Sequence, residues 1–368
     1  MSDDLMNEIA AAKDKSSIIM VVGVGGAGGN AVNHMWNLGI KDVGFMVCNT
    51  DAQALDNSPV EEKVQLGREG LGAGNDPENG RKAAIESLDD IRRRLEAAGT
   101  RMLFVTAGMG GGTGTGASPV IAKLAHEMGI LTVGIVTSPL AVEGKIRYEQ
   151  AFRGIEELSR NVDSLLVINN ENIVEMYGRL SLKQAFGKAD DILASAAKGI
   201  AEIITVESDM VNVDFADVSK VMRDSGRAHM SVATAEGEHR AAEVARASLE
   251  SPLLDHTLIS GAKNILLNIS TSDADSLALD EVMEILKYIQ SHASVQAPDG
   301  TVHDANIIWG TSVKSQLGRR IELVVVATGF DSAAIERAAK PDTFKAAVKA
   351  NPDAHPLFHS DCGFQYIN

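Results

Sequence analysis

Three glycines near the start of the chain have the spacing of a nucleotide-binding loop. Gly23, Gly25 and Gly28 follow the apolar run Ile18–Val22 and match G-x-G-x-x-G, a pattern whose glycines let the backbone approach a pyrophosphate. Asp51 follows at roughly the distance, about 20 residues, at which a dinucleotide fold places its ribose-binding acid. Read alone, the motif predicts an oxidoreductase that uses NAD.

A second glycine loop argues for a different ligand. The stretch GMGGGTGTGASP, from Gly108 to Pro119, has six glycines and two threonines in its first nine positions, between an apolar run and a predicted helix. Backbone N–H groups in such a loop, with a helix N-terminus behind them, bind an anion. Thr113 and Thr115 add hydroxyl donors or reach a metal ion, and Pro119 fits the first turn of the helix.

A third loop, GLGAGNDPENGR at residues 70–81, also precedes a predicted helix. Neither of the first two loops ends in G-K-[ST], so the chain lacks the lysine of a P-loop. A dinucleotide enzyme needs one glycine fingerprint, and the sequence has no constellation of His or Tyr suited to hydride transfer. Three loops at one sheet edge favour a triphosphate that is enclosed mainly by backbone dipoles.

Composition restricts the remaining choices. The chain has 368 residues, of which 45% are hydrophobic, enough for two domains with a sizeable core. A formal net charge of −16 argues against a general nucleic-acid or anionic-membrane surface. The two cysteines form no disulfide or metal-ligand pattern, and the acidic start lacks an apolar signal segment. These features predict a cytoplasmic protein without direct membrane insertion.

Apolar runs alternate with amphipathic segments between about Ser17 and Asn170, which is typical of a parallel α/β sheet with ligands beyond the carboxyl ends of its strands. The predicted strands are SIIMVVG, VGFMVCNTD, RMLFVTAG, ILTVGIVT and VDSLLVIN, and one helix is predicted over residues 80–99. A long helix over about Leu182–Thr205 precedes a second αβ region at about residues 217–330. There, ANIIWGTSV and RRIELVVVATGF are predicted to be adjacent antiparallel strands.

The ordered set of motifs resembles the FtsZ family of the tubulin superfamily. GGGTGTG at Gly110–Gly116 is similar to the superfamily's signature, and the family's order is followed over about residues 17–330 by GVGGAGGNAV, NTDAQAL, GLGAGNDPENGR, AGMGGGTGTGASP, EGKIR, AFGKADD, VNVDFADV, SPLL and VVVATGF. The resemblance implies a tubulin-like α/β fold, in which a long central helix joins a Rossmann-type, parallel-sheet GTP-binding domain to a smaller α+β domain. The implied segments are a disordered N-terminal tail (1–16), the GTP-binding domain (17–180), the central helix (181–208), a C-terminal activating domain (209–330) and a C-terminal tail (331–368).

By this resemblance, several loops hold GTP or GDP. The implied contacts are Gly25, Gly26, Ala27, Gly28, Gly29, Asn30, Asn49, Asp51, Gly74, Ala107, Gly108, Gly110, Gly111, Gly112, Thr113, Gly114, Thr115, Pro139, Glu143, Arg147, Asn170, Phe186 and Asp190. Glu143 and Arg147 match positions that contact ribose and phosphate. Asp51 would lie near the phosphates and would no longer be the ribose acid of a dinucleotide fold. Mg²⁺ is expected through the GTP phosphates, without a metal site made of side chains.

Base recognition is assigned to Phe186 and Asp190, which are four residues apart and so share one helix face. The ring of Phe186 can stack on a purine, while the Asp190 carboxylate accepts from N1–H and the 2-amino group of guanine. Adenine lacks this pair of donors, so the pair predicts guanine. Without the glycine loops, a core phenylalanine and a solvated aspartate would be the simpler interpretation.

No side chain near the loops looks like a base that could activate water. The resemblance implies that Asn212, Asp214 and Asp217 enter the nucleotide pocket of the next subunit, where two carboxylates orient water or help to hold Mg²⁺. The other interpretation, a strand-to-helix turn with Asp217 as a cap, is compatible with the first. A site split in this way is a head-to-tail contact, which generates filaments.

The resemblance thus implies a polymerisation-dependent GTPase that forms a homopolymer at the mid-cell division ring of bacteria, with division proteins and membrane tethers as partners. The final residues, HPLFHSDCGFQYIN, do not match the family's tether-docking peptide, which puts the usual tether in doubt. Two alternatives stay open: the NAD-dependent oxidoreductase, and a filament protein that hydrolyses GTP poorly. The presence of both Asp214 and Asp217 argues against the second.

Overall fold

The computed structural model describes residues 17–40, 42–177, 182–205, 211, 213–250, 259–296 and 301–330. Both predicted tails, the ends of the segment 181–208, Asn212 and the side chain of Phe186 lie outside the described part. The strands are β1 (Ile19–Val24), β2 (Gly44–Asn49), β3 (Glu62–Gln65), β4 (Met102–Gly108), β5 (Leu131–Ser138), β6 (Ser164–Asn169), β7 (Gly226–Ala235), β8 (Asn264–Thr271), β9 (Val295–Gln296), β10 (Val302–His303), β11 (Asn306–Val313) and β12 (Ile321–Thr328). The helices are α1 (Gly25–Asn37), α2 (Ala52–Asp56), α3 (Pro77–Glu86), α4 (Leu88–Ala97), α5 (Gly112–Glu127), α6 (Lys145–Ser159), α7 (Asn170–Tyr177), α8 (Leu182–Thr205), α9 (Phe215–Met222), α10 (Arg240–Leu249) and α11 (Leu279–Ala293).

Ten strands form one sheet in the order β11-β8-β12-β7-β6-β5-β4-β1-β2-β3. The strands from β7 to β3 run parallel, whereas β12 is antiparallel to both of its neighbours. Ile19 and Val21 of β1 belong to one apolar cluster, and Met20, Val22 and Val24 belong to another. Because successive side chains of a strand point to opposite faces, the two clusters are the cores on the two sides of the sheet.

The five strands predicted in the first region are present as β1, β2, β4, β5 and β6, which confirms the parallel α/β architecture. The sequence pattern misses β3, whose four residues EKVQ include one buried side chain, Val64. β3 is an edge strand of the sheet, where polar side chains are common.

The predicted pairing of β11 with β12 is wrong. β8 lies between them, parallel to β11 and antiparallel to β12. β8, α11 and β11 form a βαβ unit, in which the helix crosses over so that the second strand runs parallel to the first. The helical pattern between the two strands is the sequence signal for this arrangement.

The single helix predicted over residues 80–99 is divided at Ser87. The Ser87 hydroxyl donates to the Gln65 carbonyl and accepts from the Gly67 N–H. Serine side chains compete in this way with the backbone bonds of a helix. Helix α3 therefore ends just before Ser87, and α4 begins just after it.

The helices after both glycine motifs begin earlier than predicted. α1 begins at Gly25 and α5 at Gly112, so Pro119 lies inside α5 and not in its first turn. The early start brings Gly116 into α5, where it packs closely on α3: a Cβ at Gly116 would overlap the Pro77 carbonyl oxygen. Glycines of the second motif thus permit helix packing in addition to exposing backbone N–H groups.

The long helix α8 is bonded to elements on both sides of it in the sequence. His34 of α1 lies 2.8 Å from Asp191, and Glu202 lies 2.6 Å from Lys314, which also pairs with Glu322 of β12. Burial lowers the pKa of Lys314, but the two neighbouring carboxylates reverse this effect and raise its pKa overall. None of the described helices is long and apolar enough to cross a membrane.

Gly116→Ala is expected to lower the free energy of unfolding by about 1–3 kcal/mol, because α3 must move to admit the added methyl group. Gly187→Ala is the matched control inside α8, where a Cβ meets no other described atom within 4 Å. That variant is expected to be neutral or more stable by up to about 1 kcal/mol. Urea midpoints at equal nucleotide concentration measure both effects, and equal midpoints would contradict the packing of α3 on α5.

Candidate functional site

Most of the predicted nucleotide contacts follow the carboxyl ends of five parallel strands. Gly25–Asn30 follow β1, Asp51 follows β2, Gly110–Thr115 follow β4, Pro139–Arg147 follow β5 and Asn170 follows β6. Since β1, β2, β4, β5 and β6 are parallel, these segments meet at one edge of the sheet. This edge is where open α/β sheets bind ligands.

Two helix N-termini meet at this edge. Neither α1 nor α5 has a side-chain cap or an acidic residue in its first turn among the described residues. The first N–H groups of a helix lack partners within the helix, and the helix dipole adds partial positive charge there. The two starts therefore form a site for an anion.

The two helix starts are in direct contact. Gly25 has φ +72°, and a Cβ there would lie 2.8 Å from the Gly114 nitrogen. On the other side, a Cβ at Gly112 would lie 2.8 Å from the Ala73 side chain, so the third loop also reaches α5. The three predicted loops thus converge, and side chains larger than hydrogen would separate them.

Hydroxyl and amide groups connect the loop after β2 to the same place. The Thr50 and Thr113 hydroxyl oxygens are 2.7 Å apart, although Thr50 is absent from the predicted contacts. Asp51 caps α2 by accepting from the Gln53 and Ala54 N–H groups. Asn49 accepts from the Asp51 N–H. The signal for Thr50 is its place between two predicted residues in NTD.

The predicted contacts differ in exposure. The exposed ones are Gly26, Ala27, Asn30, Gly74, Glu143 and Arg147; the partly buried ones are Gly29, Asp51, Gly108, Gly111, Thr113, Asn170 and Asp190; the buried ones are Gly25, Gly28, Asn49, Ala107, Gly110, Gly112, Gly114, Thr115 and Pro139. The Thr115 hydroxyl accepts from the Gly110 N–H at 2.8 Å. Thr115 therefore supports the loop from inside, and its contact with a ligand or metal ion stays a prediction.

The rim of the site carries a charged pair and an amide. Arg147 lies 2.8 Å from Glu143, whose other oxygen accepts from the Leu140 N–H. The Asn170 side-chain oxygen is buried without a hydrogen-bond partner among the described residues. A ligand with a donor at this point would satisfy it, because buried polar groups are normally hydrogen-bonded.

Asp190 lies on α8, near α1. Burial raises the pKa of its carboxyl to about 6; His34 opposes this effect and Asp191 reinforces it. His34 is hydrogen-bonded to Asp191 at 2.8 Å, so the imidazole and carboxylate near Asp190 are themselves paired. Phe186 is one helical turn away, with its side chain outside the described part.

Asp214 and Asp217 form a capping box at the start of α9. Asp214 accepts from the Asp217 N–H at 2.9 Å, and Asp217 accepts from the Asp214 N–H. The predicted cap is present, but Asp214 and not Asp217 occupies the N-cap position, and Asp217 is the N3 residue of the box. Each carboxylate uses one oxygen in this box, and Asp214 is exposed.

This acid pair lies at the opposite edge of the sheet from the helix starts. Phe215 packs under Arg101, whose Cζ is 4.5 Å from the ring centroid, and Arg101 directly precedes β4. The seven residues of β4 span about 20 Å before the second glycine motif begins. The acid pair and the anion site of one chain therefore do not meet.

Comparisons with known proteins agree with this arrangement. The model of the Tubulin/FtsZ family GTPase domain matches residues 18–178, and that of the FtsZ family C-terminal domain matches residues 226–331. The cell division protein FtsZ of Porphyromonas gingivalis is 46% identical over 334 residues, which cover 90% of this chain and 71% of that protein.

Solved structures resemble the whole described fold. An empty FtsZ dimer of M. jannaschii has a TM-score of 0.75 at 36% identity, covering 89% of this chain and 93% of its own. A GTPγS-bound CetZ2 protofilament from Haloferax volcanii has a TM-score of 0.72 over 90% and 99% of the two chains, and at 22% identity it shows the fold alone.

These matches do not support an NAD-dependent oxidoreductase. The identity, the coverage and the two successive family models agree on one family. The chain belongs to the FtsZ family, as a homologue of the cell division protein FtsZ with a tubulin-like GTPase domain.

Proposed function

We propose that this chain binds GTP with Mg²⁺, polymerises head-to-tail and hydrolyses the GTP of each subunit with acids supplied by the next. The observation that carries the proposal is the separation of the anion site and the acid pair to opposite edges of one sheet. A subunit stacked on another in the same orientation brings the two edges together. Such a contact does not close on itself and extends into a filament.

The phosphates would be held mainly by backbone dipoles. The starts of α1 and α5 supply N–H groups and the positive ends of two helix dipoles, while Thr113 supplies a hydroxyl. Arg147 is a cation at the rim, and its pairing with Glu143 would hold it for a ribose or phosphate contact.

Guanine specificity would depend on Asp190. Its carboxylate accepts from two guanine donors, and a half-buried site of this kind excludes a base that leaves the acceptor unpaired. The raised pKa indicates that burial destabilises the charged form of this carboxyl. Hydrogen bonds from guanine would replace those that the carboxylate loses to water on burial, and would lower that pKa again.

Hydrolysis would depend on the free oxygens of Asp214 and Asp217, together with Asn212. Among the described residues, each carboxylate has one oxygen outside the capping box. In the pocket of a neighbouring subunit these oxygens would orient water toward the γ-phosphate. Catalysis of phosphoryl transfer depends mostly on such positioning and on charge stabilisation.

Mg²⁺ fits a site of this composition. No cluster of three His, Cys, Asp or Glu side chains within the described ranges would hold a metal ion, but Mg²⁺ commonly binds through substrate phosphates and retained waters. Thr113 and Thr50 are the hydroxyls at hand, and Asp51 is the nearby acid. When bound, the ion would neutralise charge that develops on the phosphates.

The wider role follows the family. We propose that the homopolymer acts in the cytoplasm at the division ring, with division proteins and a membrane tether of undetermined type as partners. The segments 17–180, 181–208 and 209–330 would be the GTP-binding domain, the central helix and the activating domain. The matched ranges of the two family models support the first and last of these.

The affinity for GDP is expected to rise about tenfold between pH 5 and pH 7, because Asp190 must ionise near pH 6 before it accepts from guanine. Calorimetry with GDP in the monomer measures this dependence. Asp190→Asn, which lacks the titrating group, should bind more weakly and show a smaller slope. The phosphates of GDP titrate equally with both proteins, so identical slopes would refute the assigned role.

Inosine diphosphate gives a second control for the same contact. It lacks the 2-amino group, so it should bind the unaltered chain more weakly than GDP. The discrimination should be smaller in Asp190→Asn. Equal discrimination by the two proteins would place the 2-amino contact on another residue.

Asp214→Asn is expected to retain GTP binding and folding but to lose about a hundredfold in turnover. Asparagine is as good a helix cap as aspartate, so the change removes the charge and leaves the start of α9 intact. Asp280→Asn, at another exposed acid in the first turn of a helix, is the control and should keep full turnover. Phosphate release and nucleotide binding are measured across protein concentration.

Mixing variants distinguishes a shared site from a site within one chain. The Asp214→Asn variant should bind GTP but lack a catalytic acid. The Asp190→Ala variant should keep the catalytic acids but bind GTP weakly. A 1:1 mixture should therefore exceed the summed turnover of the two variants alone. Turnover equal to that sum would contradict the split site.

A further inference from the structure

An open cavity of about 730 Å³ lies at the amino edge of the sheet, against α9. Arg101 lines it just before β4, Met128 and Ile130 line it just before β5, and Phe215 and Lys220 line it from α9. Polar and apolar side chains contribute about equally to its lining, and a volume of this order is typical of a binding pocket.

The cavity is cationic, although the chain carries a net charge of −16. Arg101, Lys220 and Arg223 all line it. Arg223 lies 3.9 Å from the buried carboxylate of Asp163, which offsets part of its charge. Arg101 and Lys220 form no ion pair with any described residue. The cavity therefore suits an occupant with both acidic and apolar side chains.

The chain itself enters the fold beside this cavity. The Ile18 carbonyl accepts from the N–H groups of Arg101 and Met102 at 2.8 and 3.0 Å. Residues preceding Ser17 are thus attached next to a residue that lines the cavity. β1 and β4 are neighbours, and so are β4 and β5. At the usual strand spacing, the cavity residues before β5 therefore lie about 10 Å from the start of β1.

Residues 1–9, MSDDLMNEI, match the cavity in chemistry and are named here the acidic segment. They contain three acidic and four apolar side chains and no Lys or Arg. The seven residues that connect them to Ser17 span up to about 25 Å when extended. This reach exceeds the distance across the amino ends of β4 and β5.

We propose that the acidic segment docks in this cavity of its own chain. Its acids would face Arg101, Lys220 and Arg223, and its apolar side chains would pack on Met128, Ile130 and Phe215. Because α9 begins directly after Asp214, the docked segment would brace the helix that carries the acid pair. This consequence for hydrolysis rests on the proposed function, whereas the docking itself does not.

Photo-crosslinking in the full chain tests the docking. Leu5→p-benzoylphenylalanine is irradiated in excess GDP at low protein concentration, and the crosslinked peptides are identified by mass spectrometry. We expect crosslinks to the peptides that contain Met128 or Phe215. An equal mixture of ¹⁵N-labelled and unlabelled chains should yield no mixed products, because the crosslink forms within one chain.

Charge reversal supplies matched controls. Lys220→Glu should lower the crosslink yield at least about fivefold, and adding Glu8→Lys should restore most of it. Lys287→Glu, at an exposed lysine of α11 outside the cavity, should leave the yield unchanged. Crosslinks elsewhere, mixed-isotope products that assign the cavity to a second copy, or no response to Lys220→Glu would each overturn the docking.

Turnover separates this inference from the proposed function. If Asp214→Asn abolishes hydrolysis and crosslinking fails, the proposed function stands and the docking is refuted. If the crosslinks form as expected and Asp214→Asn hydrolyses GTP normally, the docking stands and the assigned catalytic role is refuted.

Discussion

The candidate anion site depends on two helix starts whose backbone N–H groups receive no side-chain cap from the described residues. Asp51, Asp76 and Asp214 cap helices α2, α3 and α9, but the starts of α1 and α5 have no such cap among the described residues. An uncapped helix start costs free energy until an anion satisfies it. The glycines lower the steric cost of bringing two such starts together, at an entropic cost of their own. The resulting site is complementary to phosphate even though the chain as a whole is acidic.

The direction of the strands then fixes where everything else can lie. Parallel strands put all of their following loops at one edge and all of their preceding loops at the other. α9 packs at the preceding edge through Phe215 and Arg101, so its acids are separated from the nucleotide loops by the length of a strand. No rearrangement of loops removes this separation. In the proposed function, assembly of like-oriented subunits would bring the two sites together without any change of fold.

The sequence predicted five parallel strands of the first region, the converging loops and the family, because buried parallel strands and glycine loops have local patterns. Other features depend on distant contacts. The need for glycine at position 116 depends on the approach of Pro77, and the break at Ser87 depends on hydrogen bonds to Gln65 and Gly67. The position of β8 between β11 and β12 follows from the crossover helix, which two strands taken alone do not reveal. The raised pKa of Asp190 arises from burial and, to a smaller extent, from Asp191, against the opposing effect of His34, and sequence spacing specifies none of these contacts.

The capping box of Asp214 and Asp217 has a consequence for how such sequences are interpreted. Each acid accepts a backbone N–H from the other residue, so both stabilise the start of α9 whether or not GTP is hydrolysed. Selection for a well-formed helix would keep them in a lineage that had abandoned catalysis. The presence of both acids in a relative is therefore explained by helix capping alone, and activity has to be established by measuring phosphate release.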